Sequence, residues 1–142
     1  MKSSKTIPKT KKKPSRSKLV KKLDTIFSQY IRLREADSSG FVECFTCGKR
    51  SHFKSGMQAG HFQSRRHYAT RWDERNVQVQ CVGCNMFKGG EQFLFAKALD
   101  DKYYAGISDE LYVTAQTIVK FSNLDIELLI TKYKDIVKDL NK

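Results

Sequence analysis

Cys44-Phe-Thr-Cys47 and Cys81-Val-Gly-Cys84 are the first residues whose types and spacing point to chemistry. Each is a C-x-x-C knuckle, and together they supply the four thiolates that a tetrahedral zinc ion takes. Four protein ligands leave no open position, so zinc held there is structural and ties together two segments separated by 33 residues. A redox dithiol needs only one C-x-x-C, in a βαβ context that the flanking sequence does not offer. A disulfide framework is equally unsuited to a chain in the reducing cytosol.

Between the knuckles runs Gln58-Ala-Gly-His61-Phe-Gln-Ser-Arg-Arg-His67, and Asn85 directly follows the last thiolate. His61 stands at the end of an expected strand beside Gly60. A neutral imidazole there can take a proton from water near physiological pH, which makes His61 the candidate general base. The amide oxygen of Asn85 suits a hard divalent cation, and the knuckle would fix its position. Arg65, Arg66, Arg71 and Arg75 follow the candidate base, and Lys88 follows the second knuckle. The planar guanidinium fork matches phosphate oxygens, so this loop is expected to clamp a nucleic-acid backbone. Trp72 has two readings, stacking on an unpaired base or packing in the core, and the second is commoner for a lone Trp. His52 reads as a surface or core histidine.

Taken in order, a C-x-x-C, a Gly-His pair, an Asn, and a C-x-x-C followed by Asn resemble the HNH nucleases, whose site is a ββα-metal finger. His61, Asn76 and Asn85 stand at the three signature positions. The chain is more closely similar to the phage recombination family NinG (Rap). The resemblance is carried by Cys44–Gly48, Gln58–Phe62, Ser64–His67, Ala69–Glu74, Asn76-Val77 and Gln80–Gly90, and covers about residues 18–105. It implies a treble-clef-like, zinc-pinned ββα-metal core. It also implies a DNA endonuclease that cuts branched recombination intermediates such as D-loops and Holliday junctions, with Mg²⁺ or another divalent ion at the phosphate. Asn76 is then expected to orient the loop or the His61 ring. Where many HNH enzymes carry a metal-binding Asp or His, this chain has Gly60. A second ligand must come from elsewhere, with His67 and Asp73 equal alternatives and Glu74 behind them. Ion pairing with Arg71 or Arg75 is the plain alternative for both acids.

The elements that must position these residues follow from hydrophobic spacing. Leu19, Leu23, Ile26, Phe27, Tyr30, Ile31 and Leu33 recur with helical period from Lys18 to Ala36, where Asp37-Ser-Ser-Gly40 supplies a stop. Phe41–Cys44, Gln58–Phe62 and Asn76–Gln80 read as strands, the last as a half-buried one in which Val77 and Val79 alternate with Gln78 and Gln80. Helices are expected over Glu91–Tyr104, from Ser108, and from Asn123 or Asp125 to the end. The fold class is α+β, with helices flanking a small zinc-pinned hairpin. Residues 1–17 read as a basic disordered tail, being Lys, Ser, Thr and Pro with almost nothing apolar, and residues 18–142 as one domain.

The charge distribution names the partner. Of the 142 residues, 27 are Lys or Arg and 15 Asp or Glu, a net +12. The excess lies in residues 1–22, with ten basic residues and no acid, and in residues 44–90, with eight basic and two acidic; the remainder is slightly negative. A polyanion suits that pattern, because each neutralised phosphate releases condensed counterions. The longest apolar run, Phe93–Ala96, is four residues, far short of the roughly 18 that span a bilayer. No membrane partner is therefore expected, and the location expected is the cytoplasm, that of a host cell if the chain is phage-encoded. The competing function is a catalytically inert zinc-finger module that binds nucleic acid. Symmetric cutting of a junction would favour a homodimer.

Overall fold

The hydroxyl of Ser15 accepts from the backbone N–H of Lys18 and caps the first helix, α1 (Arg16–Arg34), in the computed structural model, which describes residues 13–142. The helix starts two residues ahead of the expected boundary. Arg16 already belongs to the folded unit, since its guanidinium donates to Phe121 O (2.6 Å) and Asn123 Oδ1 (3.4 Å). Most of the expected tail, residues 1–12, lies outside the described residues.

The apolar stripe of α1 buries Leu19, Leu23, Phe27 and Ile31 against the last helix, α5 (Asn123–Leu140). Ile126, Ile130 and Tyr133 answer from α5, and the Phe27 and Tyr133 rings meet edge to face at 4.9 Å. Fully burying side chains of this size stabilises by roughly 1.5–3 kcal/mol each. A capping box fixes the start of α5, with Ser122 and Asp125 each satisfying the other's backbone N–H.

Between α1 and α5 the chain forms two separate two-stranded antiparallel sheets. In the first, β1 (Phe41–Glu43) pairs with β2 (Arg50–His52), and the first knuckle is the turn between them. The strand β2 was not expected: three polar residues, one exposed and two half-buried, carry no alternation to read. In the second, β3 (Met57–His61) pairs with β4 (Val77–Cys81), His61 opposite Val77 and Met57 opposite Cys81. The expectation of a half-buried β4 is corrected, because all five of its residues are buried. Val77 and Val79 join the core under α1, while Gln78 and Gln80 are enclosed by hydrogen-bonding groups.

The loop from β3 to β4 contains one helical turn, α2 (Tyr68–Arg71). After β4 comes a five-residue π-helical turn (Gly83–Phe87), then α3 (Gln92–Lys102) and α4 (Ile107–Ala115). These two helices enclose a small second core of Phe95, Leu99, Ile107 and Leu111. Phe45 of the first knuckle and Phe62, next to His61, both pack on Phe95 at ring distances of 5.3 and 5.5 Å. One buried ring thus links a knuckle to the strand end that carries the candidate base.

Candidate functional site

The two knuckles converge. The Sγ atoms of Cys44, Cys47, Cys81 and Cys84 all lie within 4.8 Å of one another, with Cys47 and Cys81 3.7 Å apart. Zinc–sulfur bonds of about 2.3 Å in a tetrahedron require sulfur separations of about 3.8 Å, so the cluster has the dimensions of a zinc site. Its protonation chemistry agrees. Burial pushes the Cys84 thiol up to about 12, and its sulfur neighbours push the same way. Burial also raises Cys44, yet the backbone N–H of Cys81, the Thr46 hydroxyl and the backbone N–H groups of Cys47 and Thr46 bring it down to about 6. Four thiolates cannot crowd together without a cation, and a bound metal deprotonates them outright. The second knuckle passes directly into the π-helical turn, so the cluster anchors the residue that follows it, Asn85.

His61 and Asn85 face the same space. Both line an open cleft of about 760 Å³, together with His67 and Gln63, and both line an adjoining groove with Gln58, Asp24 and Arg65. Nε2 of His61 is 3.0 Å from the main-chain oxygen of Arg71. A carbonyl only accepts, so this nitrogen carries the proton and Nδ1 keeps a bare lone pair. Burial dominates and holds the imidazole pKa down at about 4, against an upward pull from the Arg71 carbonyl; the Arg65 charge lowers it further, and smaller influences of Asp24 (upward) and the Arg71 charge (downward) follow. The ring is therefore neutral at pH 7. Asn85 donates through Nδ2 to Gln58 Oε1 (2.8 Å), which aims its amide and leaves Oδ1 as the atom available to a ligand.

The loop residues divide into two groups. Arg65, Arg66 and Lys88 are exposed, as a phosphate clamp requires. Arg71 and Arg75, expected to share in that clamp, are engaged within the fold. Arg71 makes a two-pronged pair with Asp24 (3.1 and 2.5 Å) and donates to Arg65 O. Arg75 grips Asp73 through Nε and Nη2. Asp73 lines neither the cleft nor the groove, whereas His67 lines the cleft beside His61 and Asn85. Glu74 pairs with neither arginine; its carboxylate accepts from the Tyr30 hydroxyl. Trp72 is a core residue, 7% exposed, with its indole N–H donating to Asp24 Oδ1.

Asn76 has no exposed surface and cannot touch a substrate. Its Oδ1 accepts from Gln63 N, and its Nδ2 donates to Gln63 O and Thr70 O, so it staples the two ends of the loop together. Three contributors were missed in the sequence. Asp24 holds both Arg71 and Trp72 from α1, Gln58 aims Asn85, and Gln80 fills the space above Gly60. A Cβ on Gly60 would stand 2.0 Å from Gln80 Oε1. Of these, Gln58 carried a signal, lying in β3 two residues before Gly60 and three before His61. Asp24, 47 residues from its partner Arg71, carried none.

Over residues 1–142 the chain matches the family model described as NinG, the bacteriophage lambda NinG protein. The chain belongs to the NinG family. Two NinG relatives are Protein ninG of Salmonella phage P22, 29% identical over 97 residues, and Protein ninG of Escherichia phage 933W, 27% identical over 126 residues. The first alignment covers 68% of this chain and 45% of that protein, the second 88% and 59%. This NinG chain thus spans about half the length of the curated relatives it matches. No solved structure matches it. Among the described residues, no helix is long and apolar enough to cross a membrane.

Proposed function

We propose that this NinG-family chain is a divalent-metal-dependent endonuclease of the HNH, ββα-metal type, hydrolysing phosphodiester bonds in branched DNA within a cell's cytoplasm. The observation that carries the reading is the hydrogen bond from His61 Nε2 to the Arg71 carbonyl, which leaves Nδ1 as a bare acceptor in a cleft shared with Asn85. A binding module has no use for an oriented, neutral imidazole with its acceptor nitrogen free.

In this mechanism Nδ1 of His61 takes a proton from a water as the water's oxygen attacks phosphorus. The bond from phosphorus to O3′ breaks, and the electron pair leaves with that oxygen. Asn85 and His67 are the residues that would hold the divalent ion, which supplies charge neutralisation at the phosphate. Both are neutral donors, so the negative charge around the ion comes from the DNA itself. Arg65, Arg66 and Lys88 hold the backbone, and a phosphate beside His61 raises its pKa toward the working range. The preference for D-loops or Holliday junctions rests on the family resemblance together with the lack of any base-reading element in the sequence. A pair of copies acting on a four-way junction is the matching assembly.

The test is cleavage of an end-labelled four-way junction and a linear duplex of the same sequence, with Mg²⁺ or Mn²⁺, by the wild-type chain and by His61→Ala. The expected result is junction cutting that requires the cation and His61, with DNA binding retained in the variant. Binding of both DNAs without cutting under any divalent ion overturns the reading in favour of an inert zinc-finger module. Equal cutting of junction and duplex keeps the nuclease and removes the branched substrate.

A further inference from the structure

Part of the cleft lining is aromatic and exposed. Phe93, in the first turn of α3, is 74% exposed and Tyr112 of α4 is 59% exposed, and both line the cleft that contains His61 and Asn85. Neither is exposed for want of a core to join. Phe95 and Leu99 of α3 and Ile107 and Leu111 of α4 are fully buried against one another, so the two helices are already packed and present these rings on their other faces. Two exposed rings on one cleft place apolar surface together in water, and exposed apolar patches of this kind mark ligand-binding grooves.

The surroundings specify which ligand. Among the described residues the cleft is lined by no carboxylate, and its polar groups include the amides of Gln63, Gln92 and Asn85. The Lys97 ammonium lies 5.4 Å from the centre of the Phe93 ring, so a cation accompanies the ring. Flat apolar faces, amide edges, a nearby cation and no acid are the complement of a nucleobase on its phosphate backbone. A duplex conceals base faces within its stack, whereas an unpaired base can offer one to a side chain.

We propose that Phe93 and Tyr112 are base-stacking residues that make this cleft select unpaired nucleotides beside the phosphate facing His61. The inference rests on the nucleic-acid reading of the cleft and gives that reading a source of branch selectivity: positions that open at a junction or fork have faces to stack, and paired positions do not. Trp72, for which stacking is the less common of the two readings, is buried in the core; the role falls to two rings from a later part of the chain.

The experiment uses the full zinc-loaded chain and a forked duplex with 2-aminopurine in its unpaired arm, beside a linear duplex in which the same base is paired. Affinities for both DNAs and the probe's emission are measured for wild type, Phe93→Ala, Tyr112→Ala, the double variant, and Phe93→Trp with Tyr112→Trp. Each ring is worth roughly tenfold or more in affinity for an unpaired base. The fork-to-duplex affinity ratio should fall by that factor for each alanine and recover with Trp. The emission change seen with wild type should vanish in the double variant.

A ratio unchanged in the double variant overturns the proposal, as does an equal loss on both DNAs. A change of sedimentation coefficient with an unchanged ratio overturns it too, and assigns the rings to contact between copies of the chain. Binding needs no cutting, so an inactive wild type that still stacks the probe defeats the nuclease reading alone. His61-dependent cutting without stacking defeats this inference alone.

Discussion

The carboxylate of Asp24 receives Arg71 through both prongs of its guanidinium, and the main-chain oxygen of that same arginine receives Nε2 of His61. A side chain on the first helix therefore sets, at one remove, which nitrogen of the candidate base is protonated. Both members of the ion pair are largely screened from water, at 14% and 18% side-chain exposure.

Removing Asp24 takes the acceptor from Nε and Nη2 of Arg71 and from the Trp72 indole N–H in a half-buried setting, leaving Arg71 only its Nη1 bond to Arg65 O. Asp24→Ala should destabilise the chain by about 2–3 kcal/mol, at the lower edge of what breaking a buried pair costs. Urea denaturation followed by circular dichroism measures this, and a loss under about 0.5 kcal/mol would mean that the pair is a surface one in solution. Cleavage should fall with it by about a hundredfold in protein that is still folded, because a misplaced base costs that much, while DNA binding falls far less.

His61 makes stability depend on pH. Its folded pKa of about 4 lies below the value of about 6.5 in an unfolded chain. Between those values the unfolded state binds the extra proton, so stability attributable to His61 is fully present above about pH 6.5 and declines as pH falls to about 4. The shift amounts to about 3 kcal/mol at most. Comparing wild type with His61→Asn by urea denaturation across that window isolates it from carboxylates titrating nearby. The two stability curves should converge as pH drops from 6.5 to 4; parallel curves would show that the ring is hydrated and unshifted.

The sequence made some of this legible and not the rest, for reasons that can be named. Long apolar periodicity marked α1 and α5 to within two or three residues, and the pairing of knuckles marked the sulfur cluster, since only tertiary closure brings C-x-x-C pairs within one ion's reach. The short elements escaped: β2 is three polar residues, and α2 is a single turn made by a loop stapled through Asn76. Gln78 and Gln80 read as solvent-facing because polarity in a strand signals water, yet their amides are enclosed by Tyr103, Thr46 and Gly90. Asp24 was invisible because the significance of an acid on a helix lies in its partner, here 47 residues away.

The sulfur cluster predicts one zinc ion per chain. Metal analysis of reduced, purified protein should give one equivalent, released by a mercurial titration of the four thiols. Because such sites contribute their binding energy to folding, chelation should abolish the cooperative unfolding transition of the β1–β2 knuckle region. Cys84→Ser should do the same. Protein that is folded and reduced yet carries no zinc, with an unchanged melting temperature on chelation, would sink the assignment.

Gly60 and Gln80 give the sharpest steric test. Gly60 is required by space alone, since a Cβ there would meet Gln80 Oε1 at 2.0 Å and its Cδ at 2.7 Å. The Gln80 amide cannot swing away freely, because its Nε2 is held by Gly90 O at 2.9 Å and Thr46 Oγ1 at 3.1 Å, the latter tying it to the first knuckle. Among the described residues Oε1 itself is enclosed without a hydrogen-bond partner, so nothing polar is lost on that side if the amide is removed. Gly60→Ala should therefore cost about 1–3 kcal/mol as an overpacking change, and Gly60→Asp more, through a buried charge. Gln80→Ala on its own costs stability by leaving a cavity and an unpaired Gly90 carbonyl. In the Gly60→Ala, Gln80→Ala double variant the new methyl group occupies the vacated space. Its destabilisation should then fall short of the sum of the singles by about 1 kcal/mol or more. Additive losses in that cycle would mean that the two residues do not meet, and that the absence of a side chain at position 60 has some cause other than the Gln80 amide lying across it.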